Sequence, residues 1–152
     1  MASMDSVAQN YQDNFGNYRA AVAKPVLLSA TGNAVVALPL LNGGLSNNGQ
    51  FILRRITVAN PANVVAGGSV PNMSTANITI LTSNDGNVSN AVTTSGGQTL
   101  ANVTGANTYQ DLTLVASLGG NTVTQSTLFV VVNTAVANSS VTIAVYGDVV
   151  NF

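Results

Sequence analysis

The stretch from Thr127 to Val150, TLFVVVNTAVANSSVTIAVYGDVV, constrains the fold more than any other part of the chain. It reads as two β-strands joined by a turn. Leu128, Val130 and Val132 alternate with Phe129 and Val131, so both faces of the first strand are apolar. Val141, Ile143 and Val145 share one face of the second strand, and Ala144 and Tyr146 lie on the other. Between them Asn133 to Ser140, closing on Asn138, Ser139 and Ser140, supplies turn chemistry between two β-branched runs. No charged residue stands between Asp111 and Asp148. A strand apolar on both sides has to be covered on both, so a second sheet or another subunit is expected over it.

The same texture runs through most of the 152 residues, a length that fits one domain with a real core. Only 6% of the residues are charged, against about 25% in an ordinary soluble domain. All five acids are Asp. Asn, Thr, Ser, Gly, Val and Ala take the vacated places, a set that suits strands and turns and is poor in helix formers other than Ala. So sparsely charged a chain is expected to bury much of its surface against partners. The alternative is a small β-domain solvated by its own amides and hydroxyls.

Residues 1–24 stand apart. They hold Asp5, Asp13, Arg19 and Lys24, four of the nine charges, and Tyr11, Phe15 and Tyr18, three of the eight Phe and Tyr residues. Val7, Tyr11, Phe15 and Tyr18 follow helical spacing, while Asn10, Asn14, Gly16 and Asn17 weaken a helix. Two readings fit: a short helix or frayed end whose aromatics cap the β-domain, and an arm that anchors on a neighbouring protein. From Pro25 the pattern becomes β and continues as a single domain over 25–152. Phe51 to Asn60 is a strong strand that Asn60-Pro61 is expected to end. Asn77 to Leu81 alternates, and Ser83 to Asn87 carries the Asp-Gly hairpin signature. Leu100, Val103 and Tyr109 are candidates to pack inward. Asp111 to Ala116 is a further strand. Eight or nine strands between turn signals predict an all-β, antiparallel β-sandwich, jelly-roll-like, with an N-terminal arm; a barrel is the variant.

The missing residue types exclude most chemistry. His, Cys, Trp and Glu are absent. Ser-His-Asp and Cys-His catalysis and His/Cys zinc sites therefore cannot be built, and no catalytic, metal or cofactor site is expected. Asn84 to Asn87 offers a single carboxylate, too little charge for calcium, and reads as a turn. A net charge of −1 leaves no footprint for nucleic acid. The longest apolar run, Ala34 to Leu41, has 8 residues, far from the ~20 of a membrane span. The first ten residues lack the pattern of a signal peptide, so synthesis in the cytoplasm is expected, and the five Asn-X-Ser/Thr tripeptides are not expected to carry glycans.

Arg54 and Arg55 are the one constellation to single out. Adjacent strand residues point to opposite faces, so one of them is expected to face the core side or to sit at its rim. Both could lie at a strand end and reach water. Alternatively one pairs with Asp111, Asp148 or a neighbour's carboxylate and fixes subunit register.

Three segments together resemble the small β-rich decoration proteins, also called cement or head-stabilising proteins, of tailed bacteriophages. They are FILRRITVANP; Tyr109-Gln110-Asp111-Leu112-Thr113-Leu114; and Ser126 to Val130 with Val145-Tyr146-Gly147-Asp148-Val149. The resemblance covers roughly residues 50–150 and lies in strand texture. It implies a jelly-roll-like body, commonly a trimer, seated on the exterior of a virion's capsid between major capsid proteins. On that expectation Tyr11, Phe15, Tyr18 and Arg19 are the candidate capsid contacts, an assignment resting on composition alone. Arg54, Arg55, Asp111, Phe129, Tyr146 and Asp148 are the candidate contacts between copies. The rival readings are another virion subunit (tail tube, fibre or small jelly-roll capsid protein), and a carbohydrate-binding or adhesin module. The absence of Trp counts against the second rival. An enzyme is not expected.

Overall fold

The computed structural model describes residues 18–28, 34–39, 50–94, 97–115, 122–123 and 127–150. Nine strands run in order: β1 (Tyr18–Leu27), β2 (Ala34–Pro39), β3 (Gln50–Asn63), β4 (Asn77–Leu81), β5 (Gln98–Thr99), β6 (Tyr109–Asp111), β7 (Thr122–Val123), β8 (Thr127–Thr134) and β9 (Ser139–Val150). One 3-10 turn, Val88–Asn90, interrupts them. All pairings between these strands are antiparallel. They form two sheets. The first has the order β1-β9-β3-β6, with β7 also on β3; the second has the order β2-β8-β4-β5.

The pairing is nested. The first strand pairs the last, β1 with β9; β2 pairs β8; β3 pairs β6; and β4 pairs β5 at the centre. Two further ladders, β9 on β3 and β8 on β4, roll this long hairpin into two layers. The expected all-β antiparallel sandwich is therefore the fold. Its core lies between the layers, where β8 contributes Leu128, Val130 and Val132, β9 contributes Val141, Ile143 and Val145, and β4 contributes Ile78 and Ile80, all buried. The period-2 alternation sets those faces.

The second apolar face of β8 is covered differently from expectation. Phe129 and Val131 meet Leu81 and Ala91 in a small cluster outside the sandwich. Within the described residues no further sheet supplies that cover. The chain's own segment after β4 folds back over it, held by a bridge between Leu81 and Ala91 and by Thr82 N–H donating to the Asn90 carbonyl at 3.0 Å. The stretch 92–94 stays on β4 through Val92 N–H on the Ile80 carbonyl and also meets 113–115, through Val115 N–H on the Val92 carbonyl and Thr94 N–H on the Thr113 carbonyl. The strand expected over 111–116 is thereby split. Its first part pairs β3 and its second part closes the sandwich edge.

Three further expectations change, two of them boundaries. β1 starts at Tyr18 and pairs β9 from Gly147 onward, so the division expected after residue 24 falls inside a strand. Tyr18 and Arg19 occupy sheet positions, with no helix there. The partner strand β9 imposes the extended form on a segment whose own signals are mixed. β3 passes through Asn60-Pro61 without ending: Asn60 takes a positive φ of 51° and the β3–β9 register shifts between Ala59 and Ala62. That irregularity accommodates a proline that has no N–H to give to the ladder. Third, Tyr109 points outward and is 64% exposed, while Leu100 and Val103 pack inward as expected.

Candidate functional site

The outer face of the first sheet gathers five of the six side chains expected to make contacts between copies, all but Phe129. Its organising feature is a β-bulge. Leu53 stands opposite Gly147 and Arg55 opposite Tyr146, leaving Arg54 as the extra residue of β3. One extra residue shifts the alternation by one, so Leu53 and Ile56 are both buried while Arg54 and Arg55 between them are both exposed. The expectation that the two arginines would part to opposite faces is thus overturned, and neither arginine faces the core. Gly147, a glycine inside a strand pattern, was the available signal for a bulge.

Each arginine has its own partner. Arg54 donates through Nε to Asp148 Oδ2 at 2.8 Å. Its side chain is 47% exposed, whereas that of Asp148 is 9% exposed, so the guanidinium reaches from water to a mostly covered carboxylate. Asp148 has a further interaction besides this one. Arg55 lies over the Tyr146 ring, its guanidinium carbon 4.3 Å from the ring centroid, in cation–π geometry. Two positions further along β3, Thr57 donates its hydroxyl to Asp111 on β6. Ala59 pairs Tyr109 at the same edge.

Arg54, Arg55, Tyr146, Asp148 and Asp111 therefore share one sheet face, with the exposed Tyr109 beside them. Of the expected pairings, Arg54 with Asp148 forms; Asp111 takes Thr57 instead of an arginine. Phe129 lies apart, on the outer face of the second sheet, where it packs against the Leu81, Ala91 and Val131 cluster. Tyr18 and Arg19 enter β1 opposite Gly147 and Tyr146, next to this face. Tyr11 and Phe15 lie outside the described residues.

A second feature was not legible from sequence. Over the outer face of the second sheet, Thr79, Leu81, Val131 and Asn133 form the floor of a pocket of about 470 Å³, walled by Asn84, Asp85, Gly86 and Val88. The wall is a compact loop. The Asp85 carboxylate accepts from the Ser83 hydroxyl, the Asn87 N–H and the Asn90 amide, and Asn87 in turn caps the 3-10 turn by accepting from Ser89 N–H. These hydrogen bonds, the Ser83 hydroxyl foremost and the Asn87 N–H next, hold the Asp85 carboxyl below its ordinary range against the opposing effect of desolvation. Among the described residues no group of three His, Cys, Asp or Glu side chains gathers to hold a metal ion.

Comparison with protein families, with curated proteins and with solved structures finds no match to the chain.

Proposed function

We propose that the chain is a structural virion protein, a decoration subunit that binds the outside of a phage head and stabilises the lattice of its major capsid protein. The observation that carries this reading is the nested strand order. An eight-stranded ladder paired first-to-last and rolled into two sheets is the order of a jelly roll, an architecture shared by viral capsid and lectin domains, with β7 as a short addition. The contact-forming face supports it. Arg54, Arg55, Asp111, Asp148, Tyr146 and Tyr109, drawn from a chain with only nine charges, converge on one sheet. Arg and Tyr in that setting are the residue types that anchor interfaces. A lattice offers many copies of such a surface, so modest single contacts sum to tight attachment. A subunit that binds only the assembled lattice stabilises it by mass action.

The same strand order favours a second reading, a small jelly-roll subunit that itself builds a shell. One experiment separates the two. Purified chain is sized by light scattering and then incubated with assembled heads of the parent phage, with and without the Arg55→Ala and Tyr109→Ala changes. A small oligomer, such as a trimer of the 15.4 kDa chain, that sediments with heads and does so less well in the variants supports the decoration reading. Closed shells formed by the chain alone support the second. A monomer that ignores heads removes both.

A further inference from the structure

The pocket on the second sheet lies on the side of the sandwich opposite the Arg–Tyr face, and its chemistry is of another kind. We propose that it binds a neutral, hydroxyl-rich ligand, a saccharide unit, which bridges the Thr79 hydroxyl and the Asn133 side-chain oxygen on the floor to the Asp85 carboxylate on the wall. The inference does not depend on the capsid reading.

The floor carries polar groups that the fold leaves incompletely used. Thr79 is 2% exposed. Its oxygen accepts from Asn133 Nδ2 at 2.8 Å, but among the described residues nothing accepts its hydroxyl hydrogen. Asn133 donates to both Asn77 Oδ1, at 2.9 Å, and Thr79, which fixes the amide with its oxygen unmatched among the described residues. A buried hydroxyl with no acceptor is costly, and a ligand oxygen meeting it relieves that cost. On the wall, Asp85 Oδ2 receives only the 3.3 Å contact from Asn90 and keeps lone pairs to spare. Asn84 makes no side-chain hydrogen bond among the described residues.

The remaining properties select the class of ligand. The one charged side chain among the described residues of the lining, Asp85, is negative and its carboxyl is held below the ordinary range, so an anion is repelled. A single carboxylate is too little for a hard cation. Among the described residues no aromatic ring lines the pocket, so a planar base has nothing there to stack on. Leu81, Val88 and Val131 offer short aliphatic patches that suit the C–H face of a sugar ring. The volume falls in the range of small-molecule sites, ~300–1,000 Å³. The wall loop is already locked by its own hydrogen bonds, so little ordering is needed on binding.

The test is an NMR titration of the full chain with the methyl glycosides of glucose, galactose, mannose and N-acetylglucosamine. Cyclohexanol, calcium chloride and inorganic phosphate serve as comparison probes. At least one glycoside is expected to give saturable shifts confined to Thr79, Asn84 to Val88, Val131 and Asn133. Affinity is expected to fall about tenfold in Thr79→Val, the loss of one well-placed hydrogen bond. Asn84→Ala alters an exposed loop side chain and cannot unfold the sandwich; it too is expected to weaken binding while the rest of the spectrum stays unchanged. The proposal is overturned if no glycoside shifts these residues. It is equally overturned if cyclohexanol, calcium or phosphate shifts them as strongly, or if the folded Asn84→Ala variant binds as the parent does.

Discussion

Among Gly67, Gly68, Gly86, Gly97 and Gly105, an added carbon meets its neighbours most closely at Gly97. The residue has a φ of +84°, in the region that favours glycine, and a Cβ built there falls well inside contact distance of Asn77 Oδ1 and Asn133 Nδ2. Those two atoms form a hydrogen bond of 2.9 Å, and Asn133 also holds Thr79. Gly97→Ala therefore combines two costs. Forcing alanine into the left-handed region costs about 1 kcal/mol. Displacing the Asn77–Asn133–Thr79 chain costs about 1 kcal/mol for each bond lost. The sum is about 2–4 kcal/mol, and for a domain of this size a fall in Tm of about 5–15 °C. Equilibrium denaturation of Gly97→Ala, Asn77→Ala and the double variant measures it. Asn77→Ala removes one of the two atoms the new methyl would strike, so the double variant is expected to be more stable than the sum of the single losses by about 1 kcal/mol. A Gly97→Ala protein within about 0.5 kcal/mol of the parent, the range of ordinary surface changes, refutes the reasoning. Strict additivity refutes the part that assigns the clash to Asn77.

Two other perturbations test the remaining polar structure. Arg54→Ala is expected to lower stability by about 1 kcal/mol, between the values for surface and buried pairs, because Arg54 is half in water while Asp148 keeps another interaction; urea unfolding at low and high salt should show the loss shrinking as salt screens the pair. The Asp85 loop should loosen in acid: its folded carboxyl titrates below the ordinary value of 3.8, so its contribution is fully present above that value and is lost as pH falls through the lower folded one. Protection of the Asn87 amide from hydrogen exchange, taken against the unfolded chain at the same pH, should fall below about pH 4, and Asp85→Asn should remove that pH dependence.

The alternation of Leu128, Val130 and Val132, and of Ile78 and Ile80, made the sandwich readable, because a half-buried strand must repeat every two residues. Arg54 and Arg55 misled the same logic, since an inserted residue breaks the period locally and only Gly147 across the ladder hinted at it. Asn60-Pro61 misled it in another way: a proline that stops a regular strand can sit inside an irregular one. Phe129 and Val131 correctly announced that β8 needs cover on both sides. They could not say that a loop of the same chain would provide it, because that depends on where the segment after Leu81 turns. The contact face was partly visible as single residues, while the pocket was not visible at all. Thr79 and Asn133 are 54 positions apart, and only the β4–β8 register brings them together.

The nested pairing also fixes an order of events for a growing chain. The central pair, β4 with β5, joins residues about twenty positions apart, whereas Tyr18 and Gly147 of the outermost pair lie almost the whole described chain apart. Neither sheet can be completed until β8 and β9, the last strands of the fold in chain order, have left the ribosome. The earlier strands are therefore made with the most apolar ones still to come, and the sandwich closes only once those have emerged. Contacts so distant in sequence make for slow closure. The sparse charge of the chain leaves its unfinished surface with little to hold other chains away.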